Sequence, residues 1–181
     1  WTAGKRTRSA TVLMRSTSLC RAVLTDDWEH GGFGLYIHWP FCQAKCPYCD
    51  FNSHVVREID QAVWREAYLS EIRRTAAETE GRVLRSVFFG GGTPSMMDPD
   101  LVDAILREVR AAWPAANDIE ITLEANPTSV EAERFGAYAR AGVNRVSLGV
   151  QALDNDALRL LGRLHDADDA LRALSTARSV F

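Results

Sequence analysis

The feature that most constrains the fold is a fourfold alternation of strand-like and helix-like segments. Strands are predicted at residues 34–39, 86–89, 119–123 and 143–150. Because strands joined by helical crossovers run parallel, this alternation predicts an α/β sheet or barrel. Four such units do not close an eight-stranded barrel. An open four-stranded sheet and a piece of a larger barrel both fit, and we favour the piece, truncated after about four βα units.

Capping residues mark the helices between these strands. The first helix is predicted over residues 59–79 from its apolar spacing. Side chains that accept hydrogen bonds from free N–H groups are typical of helix starts, and glycine is typical of helix ends. The marked boundaries are Asp98 followed by Pro99, a Thr128–Glu131 capping box for a third helix that Gly142 ends, Asp154 with Gly162, and Asp166.

Charge separates residues 1–31, a predicted leader outside the fold, from the rest of the chain. Residues 1–25 carry five basic groups and no acid, whereas the remainder carries 16 Lys or Arg against 24 Asp or Glu. The acidic remainder is a poor match for nucleic acid, so no such partner is expected. We favour the interpretation that this leader is a disordered tail or translated upstream sequence, and the alternative is a mitochondrial transit peptide. The expected location is the bacterial cytoplasm in the first case and the mitochondrion in the second. No apolar run approaches the ~20 residues of a membrane span.

Three cysteines follow the first predicted strand in the run Cys42-Gln-Ala-Lys-Cys46-Pro-Tyr-Cys49. Three thiolates on one loop can hold three irons of a [4Fe-4S] cube, which usually takes four cysteines. Cys20 lies 22 residues upstream and is expected to be a free thiol. One iron would therefore stay open, as the metal does in catalytic sites.

A structural zinc site is the alternative for this run. Its fourth ligand would be Cys20, His38 or His54. Such sites normally show paired C-x2-C knuckles rather than a single triplet, so the cluster is favoured. All four histidines are expected to be structural or to support other side chains.

The cysteine run resembles the signature of the radical S-adenosylmethionine (radical SAM) superfamily. Its flanks, Tyr36-Ile-His-Trp-Pro40 and Asp50-Phe-Asn-Ser53, narrow the resemblance to the group that contains oxygen-independent coproporphyrinogen III oxidase (HemN) and the haem chaperones of HemW type. The resemblance implies a core domain over residues 32–181, incomplete at its C-terminus, that forms part of a (β/α)6 TIM-like barrel. It also implies a [4Fe-4S] cluster on Cys42, Cys46 and Cys49, with SAM on the open iron.

Further motifs lie at the ends of the later predicted strands. Consecutive glycines let the backbone approach a ligand closely, although short glycine runs are also ordinary turns. Three polar residues follow later in the chain, and each has an ordinary alternative role. Glu124 could be a solvated strand end, Gln151 a loop amide, and Arg163 a cation at a helix end. Because the carboxyl ends of parallel strands meet at one rim, we expect these groups to line one cleft. The SAM contacts that the resemblance implies are Tyr36, Tyr48, Gly91, Gly92, Thr93, Glu124, Gln151 and Arg163.

Phe51 distinguishes the two functions within the group. The oxidases typically carry a further cysteine at this position, whereas Cys-Pro-Tyr-Cys-Asp-Phe-Asn-Ser resembles the haem chaperones. The resemblance implies a protein that binds haem or porphyrin and passes haem to acceptor proteins, some of them membrane-bound. Oxidative decarboxylation of coproporphyrinogen III is the alternative, so the sequence leaves open whether the protein is an enzyme. The haem site of such chaperones would lie beyond residue 181.

Overall fold

The computed structural model describes residues 28–181, so the predicted leader and Cys20 lie outside the described residues. The described part contains six strands and seven α-helices, together with one short 3₁₀ helix. In chain order the elements are α1 (Trp28–Gly31), β1 (Phe33–Trp39), β2 (Phe41–Cys42), β3 (His54–Val55), α2 (Gln61–Glu78), β4 (Leu84–Gly91), the 3₁₀ helix (Pro94–Met96), α3 (Pro99–Ala112), β5 (Ala115–Ala125), α4 (Ser129–Ala132), α5 (Phe135–Ala141), β6 (Arg145–Leu148), α6 (Asn155–Leu160) and α7 (Ala167–Val180).

The main sheet is parallel and has the order β1-β4-β5-β6. This confirms the α/β class and the four predicted strands, with the helices as crossovers. Successive strands lie next to one another, which is the arrangement of a barrel wall rather than of a doubly wound sheet. A second, two-residue parallel pairing joins β2 to β3 and was not predicted.

One face of the main sheet packs against the helices and forms the core. On β1 the buried residues Leu35, Ile37 and Trp39 point to this face. The opposite face is the inner wall of the partial barrel, where the strand register aligns Tyr36, Phe88, Thr122 and Arg145 across the four strands. The side-chain alternation of a strand therefore separates an apolar core from a more polar inner wall.

The predicted helix starts are confirmed where an aspartate caps the helix. The Asp98 carboxylate accepts from the N–H of Asp100, and the Asp154 carboxylate accepts from the N–H of Ala157. Asp166 caps α7 in a full capping box, with a reciprocal bond from its own N–H to the side chain of Asp169. These bonds satisfy N–H groups that have no partner inside the helix.

The single helix predicted from Thr128 to Gly142 is wrong, because the structure has two helices there, α4 and α5. The capping box is only half formed: the Glu131 N–H donates to Thr128 Oγ1 at 3.4 Å, but the Glu131 carboxylate turns inward. It accepts hydrogen bonds from the Ser95 hydroxyl and from the Asn126 N–H. Gly142 ends α5 in the left-handed conformation with φ of 115°, as predicted.

The last strand is also shorter than predicted. β6 covers four residues, and the chain leaves the sheet at Gly149 to form the loop that carries Gln151. No helix among residues 28–181 is long and apolar enough to cross a membrane.

Candidate cluster and ligand site

The cysteine loop is attached to the carboxyl ends of β1 and β4. Backbone bonds run from the Gly92 N–H to the Trp39 carbonyl at 2.6 Å and from the Thr93 N–H to the Phe41 carbonyl at 2.8 Å. These bonds extend the pairing of the two strands by two residues and fix the start of the loop. Cys42 is buried at this point, whereas the two later cysteines of the run are partly exposed.

Two side chains close the loop from within. The Lys45 ammonium donates to the carbonyls of Phe51 at 3.3 Å and Ser53 at 3.4 Å. His38 Nε2 lies 3.1 Å from the Asn52 carbonyl, which can only accept, so this nitrogen carries the proton in the bond. His38 therefore supports the loop, in agreement with the structural role expected for it.

A cavity of about 300 Å³ opens at the carboxyl ends of the four main strands. Its volume is at the lower end of the range of small-molecule sites, roughly 300–1,000 Å³. It brings together ten of the eleven side chains or backbone positions that the sequence singled out. These are Cys42, Cys46, Tyr48, Cys49, Gly91, Gly92, Thr93, Glu124, Gln151 and Arg163.

Tyr36 is the predicted residue that does not line this cavity. Its ring is half exposed on the inner wall and stacks on Phe88, with ring centroids 6.0 Å apart. Burial and the charge of Glu124 both raise the pKa of its phenol. Tyr36 is therefore a neighbour of Glu124 but lies one layer of side chains deeper in the barrel than the cavity.

Glu120, Thr122 and Glu124 lie on one face of β5, because alternate side chains of a strand point to the same side. Glu120 forms an ion pair with Arg145 at 3.3 Å at the far end of the inner wall. The Thr122 hydroxyl also donates to the Glu120 carboxylate at 2.9 Å. Glu124 lies at the cavity end, and no cation among the described residues forms an ion pair with it. Burial raises the pKa of its carboxyl group, and a hydrogen bond from the Gly91 N–H offsets part of this effect.

We expect Glu124→Gln to raise the melting temperature of the ligand-free protein at pH 7. Burial disfavours the ionised carboxylate, so the group costs stability once it is charged, and glutamine removes that cost. A raised pKa means that the cost is absent below the unfolded pKa and fully present above the folded one. The difference between variant and parent should therefore shrink as the pH falls to about 4. A constant difference between pH 4 and pH 7 in thermal melts would contradict this assignment.

Arg163 links the cysteine loop to the ends of β5 and β6. Its guanidinium donates to Asn126 Oδ1 at 2.5 Å, to the Gly149 carbonyl at 2.9 Å and to Cys46 Sγ at 3.3 Å. Its Nε is buried and has no hydrogen-bond partner. A buried donor without an acceptor costs free energy, so a ligand that supplies an acceptor here would be stabilised.

Gln151 and Tyr48 complete the rim of the cavity. Gln151 is the one residue other than glycine with a left-handed backbone in the described part of the chain, with φ of 66°. Tyr48 is half exposed beside Cys46, and burial followed by a hydrogen bond with that thiol raises the pKa of its phenol. Both side chains present polar groups to the opening of the cavity.

The sequence did not single out two further cavity residues, Lys45 and Asn126. A signal existed for Asn126, which stands two residues after Glu124 in the loop that follows β5. Residues in the loops after parallel strands are positioned for binding, so its place alone would have nominated it. Lys45 carried no signal other than its place within the cysteine run.

The residues present fit a cluster with SAM beside it. The glycines leave no room for side chains, since a Cβ on Gly92 would lie 2.4 Å from the Phe41 carbonyl oxygen and 3.0 Å from Cys42 Sγ. The buried Arg163 Nε offers a free donor. Among the described residues, no three His, Cys, Asp or Glu side chains converge on a point that could hold a single metal ion. A cubane gives each thiolate a different iron, so its ligands need no such convergence.

Comparison with known proteins identifies the class. The profile of the radical SAM superfamily matches residues 36–181, so the chain belongs to this superfamily. Within it the relatives place the chain in the group of HemN and HemW. The structure resembles that of coproporphyrinogen III oxidase (HemN) from Escherichia coli with a TM-score of 0.74 and 29% identity, over 81% of this chain and 34% of that one.

Two curated relatives are equally similar in sequence. The chain is 46% identical over 147 residues to the mitochondrial radical S-adenosyl methionine domain-containing protein 1 of Bos taurus, covering 81% of this chain and 33% of that protein. It is also 46% identical over 144 residues to the heme chaperone HemW of Escherichia coli, covering 79% of this chain and 38% of that protein. The chain thus spans about a third of the length of the curated relatives that it matches, which agrees with a truncated partial barrel.

Proposed function

We propose that the full-length protein is a haem chaperone of HemW type that binds a [4Fe-4S] cluster and SAM. The observation that carries this proposal is the single cavity that Cys42, Cys46 and Cys49 share with the glycine run, Glu124 and Arg163. The 46% identity to a heme chaperone supports the chaperone half of the proposal. When bound, the cluster would supply an open iron for SAM and an electron.

The side chains divide the binding of SAM between its charged and polar groups. The three thiolates would hold the cluster, and Arg163 would bind the carboxylate of SAM, since a guanidinium is the natural partner of a carboxylate. Glu124 would accept hydrogen bonds from the amino group, which is the cationic end of the methionine part. Gly91, Gly92 and Thr93 would offer backbone groups to the methionine part, and Gln151, Tyr48 and Tyr36 would offer polar contacts to the remainder.

We expect Arg163→Met to weaken SAM binding by about 10- to 150-fold. A hydrogen bond to a charged group contributes roughly 1.5–3 kcal/mol, and methionine keeps much of the length of arginine without its donors. Calorimetric titration of the reconstituted full-length protein with SAM measures the change. Arg172→Met on α7, whose guanidinium pairs with Asp169 on the surface, is the control and should leave SAM affinity unchanged. A variant at Arg163 that binds SAM as tightly as the parent would remove this residue from the proposed site.

The chaperone is favoured over the oxidase by one exposed residue. Phe51 is 58% exposed beside the cysteine loop, at the position where the oxidases typically carry a further cysteine. A phenyl ring cannot replace a thiol in redox or metal chemistry. Because a shared fold and a shared SAM site do not fix the reaction, the alternative of oxidative decarboxylation needs a direct test.

The decisive experiment uses the full-length protein with reconstituted cluster, SAM and a reductant under anaerobic conditions. We expect no protoporphyrinogen from coproporphyrinogen III, while HemN from Escherichia coli forms it in a parallel reaction. We also expect the protein to retain haem through a desalting column. Formation of product above background would establish oxidase activity, and loss of haem on the column would rule out the proposed chaperone function.

The proposal extends to partners and location. Haem-acceptor proteins, including membrane-bound ones, are the proposed recipients. A bacterial chaperone of this kind would work in the cytoplasm. A mitochondrial location would follow if residues 1–31 act as a transit peptide.

A further inference from the structure

Asn126 makes hydrogen bonds in three directions, to helix α4, to the loop after β4 and to the loop after α6. Its N–H donates to the Glu131 carboxylate at 2.8 Å, and its Nδ2 donates to Thr93 Oγ1 at 3.3 Å. Its Oδ1 accepts from Arg163 Nη2 at 2.5 Å. The residue thus uses its backbone donor, its side-chain donor and its side-chain acceptor in three directions, since an amide carries its donor and its acceptor on separate atoms.

The inner end of this arrangement is fixed in the core. Glu131 is 7% exposed, and its carboxylate also accepts from the Ser95 hydroxyl. The Tyr138 hydroxyl holds the same segment, because it lies 2.8 Å from the Ser95 carbonyl oxygen and 2.7 Å from the Met97 carbonyl oxygen and shares its one proton between them. Buried groups whose bonds are satisfied in this way are rigid, so the backbone of Asn126 has a fixed position.

The outer end is the long side chain of Arg163, which has many rotamers when nothing holds it. Its guanidinium contacts Cys46 Sγ at 3.3 Å on one side and lines the cavity on the other. Arg163 Nη2 donates to two acceptors, Asn126 Oδ1 at 2.5 Å and the Gly149 carbonyl at 2.9 Å. Removal of the shorter of these two bonds would leave Nη2 held by the Gly149 carbonyl alone, and the guanidinium would be less firmly fixed beside the sulfur.

We propose that Asn126 is a positioning residue that holds the Arg163 guanidinium between the Cys46 sulfur and the cavity. It would thereby set two properties at once, the affinity for the carboxylate of SAM and the reduction potential of the cluster. A hydrogen bond donated to a ligand sulfur stabilises the more negative, reduced cluster and so raises its potential. This inference rests on the proposed function, because it takes the three cysteines as cluster ligands and SAM as the occupant of the cavity.

The test is Asn126→Ala in the reconstituted full-length protein, alone and combined with Arg163→Met. We expect the single variant to bind SAM about tenfold more weakly, as for the loss of one charge-assisted hydrogen bond. We also expect its cluster to have a lower midpoint potential in a redox titration followed by electron paramagnetic resonance. In the Arg163→Met background the same substitution should change affinity less than about twofold, because residues that act through one group are not additive.

Asn144→Ala is the matched control, because Asn144 also makes two side-chain hydrogen bonds, to the backbone of Ile119 and Ile121 at the opposite end of β5. It should leave both affinity and potential unchanged. Additive losses in the double variant, or an unchanged potential in Asn126→Ala, would overturn the positioning role. If the parent protein binds no SAM, the proposed function fails, and a crystal structure of Asn126→Ala then decides the inference alone. Arg163 displaced from Cys46 would support it, and Arg163 in place would refute it.

Discussion

Replacement of Cys42, Cys46 or Cys49 by serine, one at a time, is expected to abolish the cluster. Each thiolate would hold a different iron, and three ligands leave no spare one to compensate for a loss. Anaerobic reconstitution of the full-length parent should yield about four irons per chain and the Mössbauer signature of a [4Fe-4S] centre. Each serine variant should yield less than about a tenth of that iron under the same conditions.

Cys20→Ser is the matched control for these variants, since it removes a thiol that lies outside the run. It should bind as much iron as the parent. Loss of the cluster in Cys20→Ser would make this residue a fourth ligand. A stable zinc ion in place of iron would establish the structural zinc site that the sequence left as an alternative.

Gly92→Ala is expected to destabilise the protein by about 3 kcal/mol and to prevent SAM binding. The added Cβ would meet the Phe41 carbonyl oxygen at 2.4 Å, and a backbone atom cannot move aside as a flexible side chain can. Overpacking of this kind costs typically 1–3 kcal/mol, and relief of the clash would break the Gly92–Trp39 bond that attaches the cysteine loop. Chemical denaturation measures the first effect and calorimetry the second.

Gly136→Ala provides the comparison for this prediction. Gly136 lies in α5, where an added Cβ would come no closer than 3.5 Å to the end of the Arg140 side chain. Alanine in a helix is favoured over glycine by roughly 0.5–1 kcal/mol, so this variant should be as stable as the parent or more stable. Equal stability of the two alanine variants would show that the glycine run is an ordinary turn.

The sequence predicted most of the fold because the fold is built from local patterns. The apolar strands, the aspartate caps and the βα order are each visible within a few residues. The broken helix at Thr128–Gly142 shows the limit of such patterns. Glu131 has the local sequence of a capping box, yet its carboxylate bonds with Ser95, which lies 36 residues earlier. A long-range bond that replaces a local one has no signature in the local sequence.

The candidate site also contains residues that the sequence predicted and residues that depend on long-range contacts. The cysteine run was predicted because cluster chemistry demands thiolates at that spacing, whereas the resemblance nominated the glycine run and Glu124. The structure places all of them on one cavity. Asn126 was missed because its importance lies in contacts with Thr93 and Arg163, which come from two other loops. The pairing of β2 with β3 was missed because two-residue strands leave no periodic pattern. The roles of the cavity residues in binding the cluster and SAM stay predictions.

The left-handed backbone of Gln151 sets the stability of the fold against the proposed contact of this side chain with a ligand. A side chain in this conformation costs roughly 1 kcal/mol relative to glycine, and the fold keeps it at the rim of the cavity. Evolution for heat resistance alone should therefore drift this position toward glycine or asparagine, which tolerate the conformation. Selection that also demands a working cavity should retain glutamine. A library randomised at this codon and sorted under each regime would show which of the two pressures has shaped the loop.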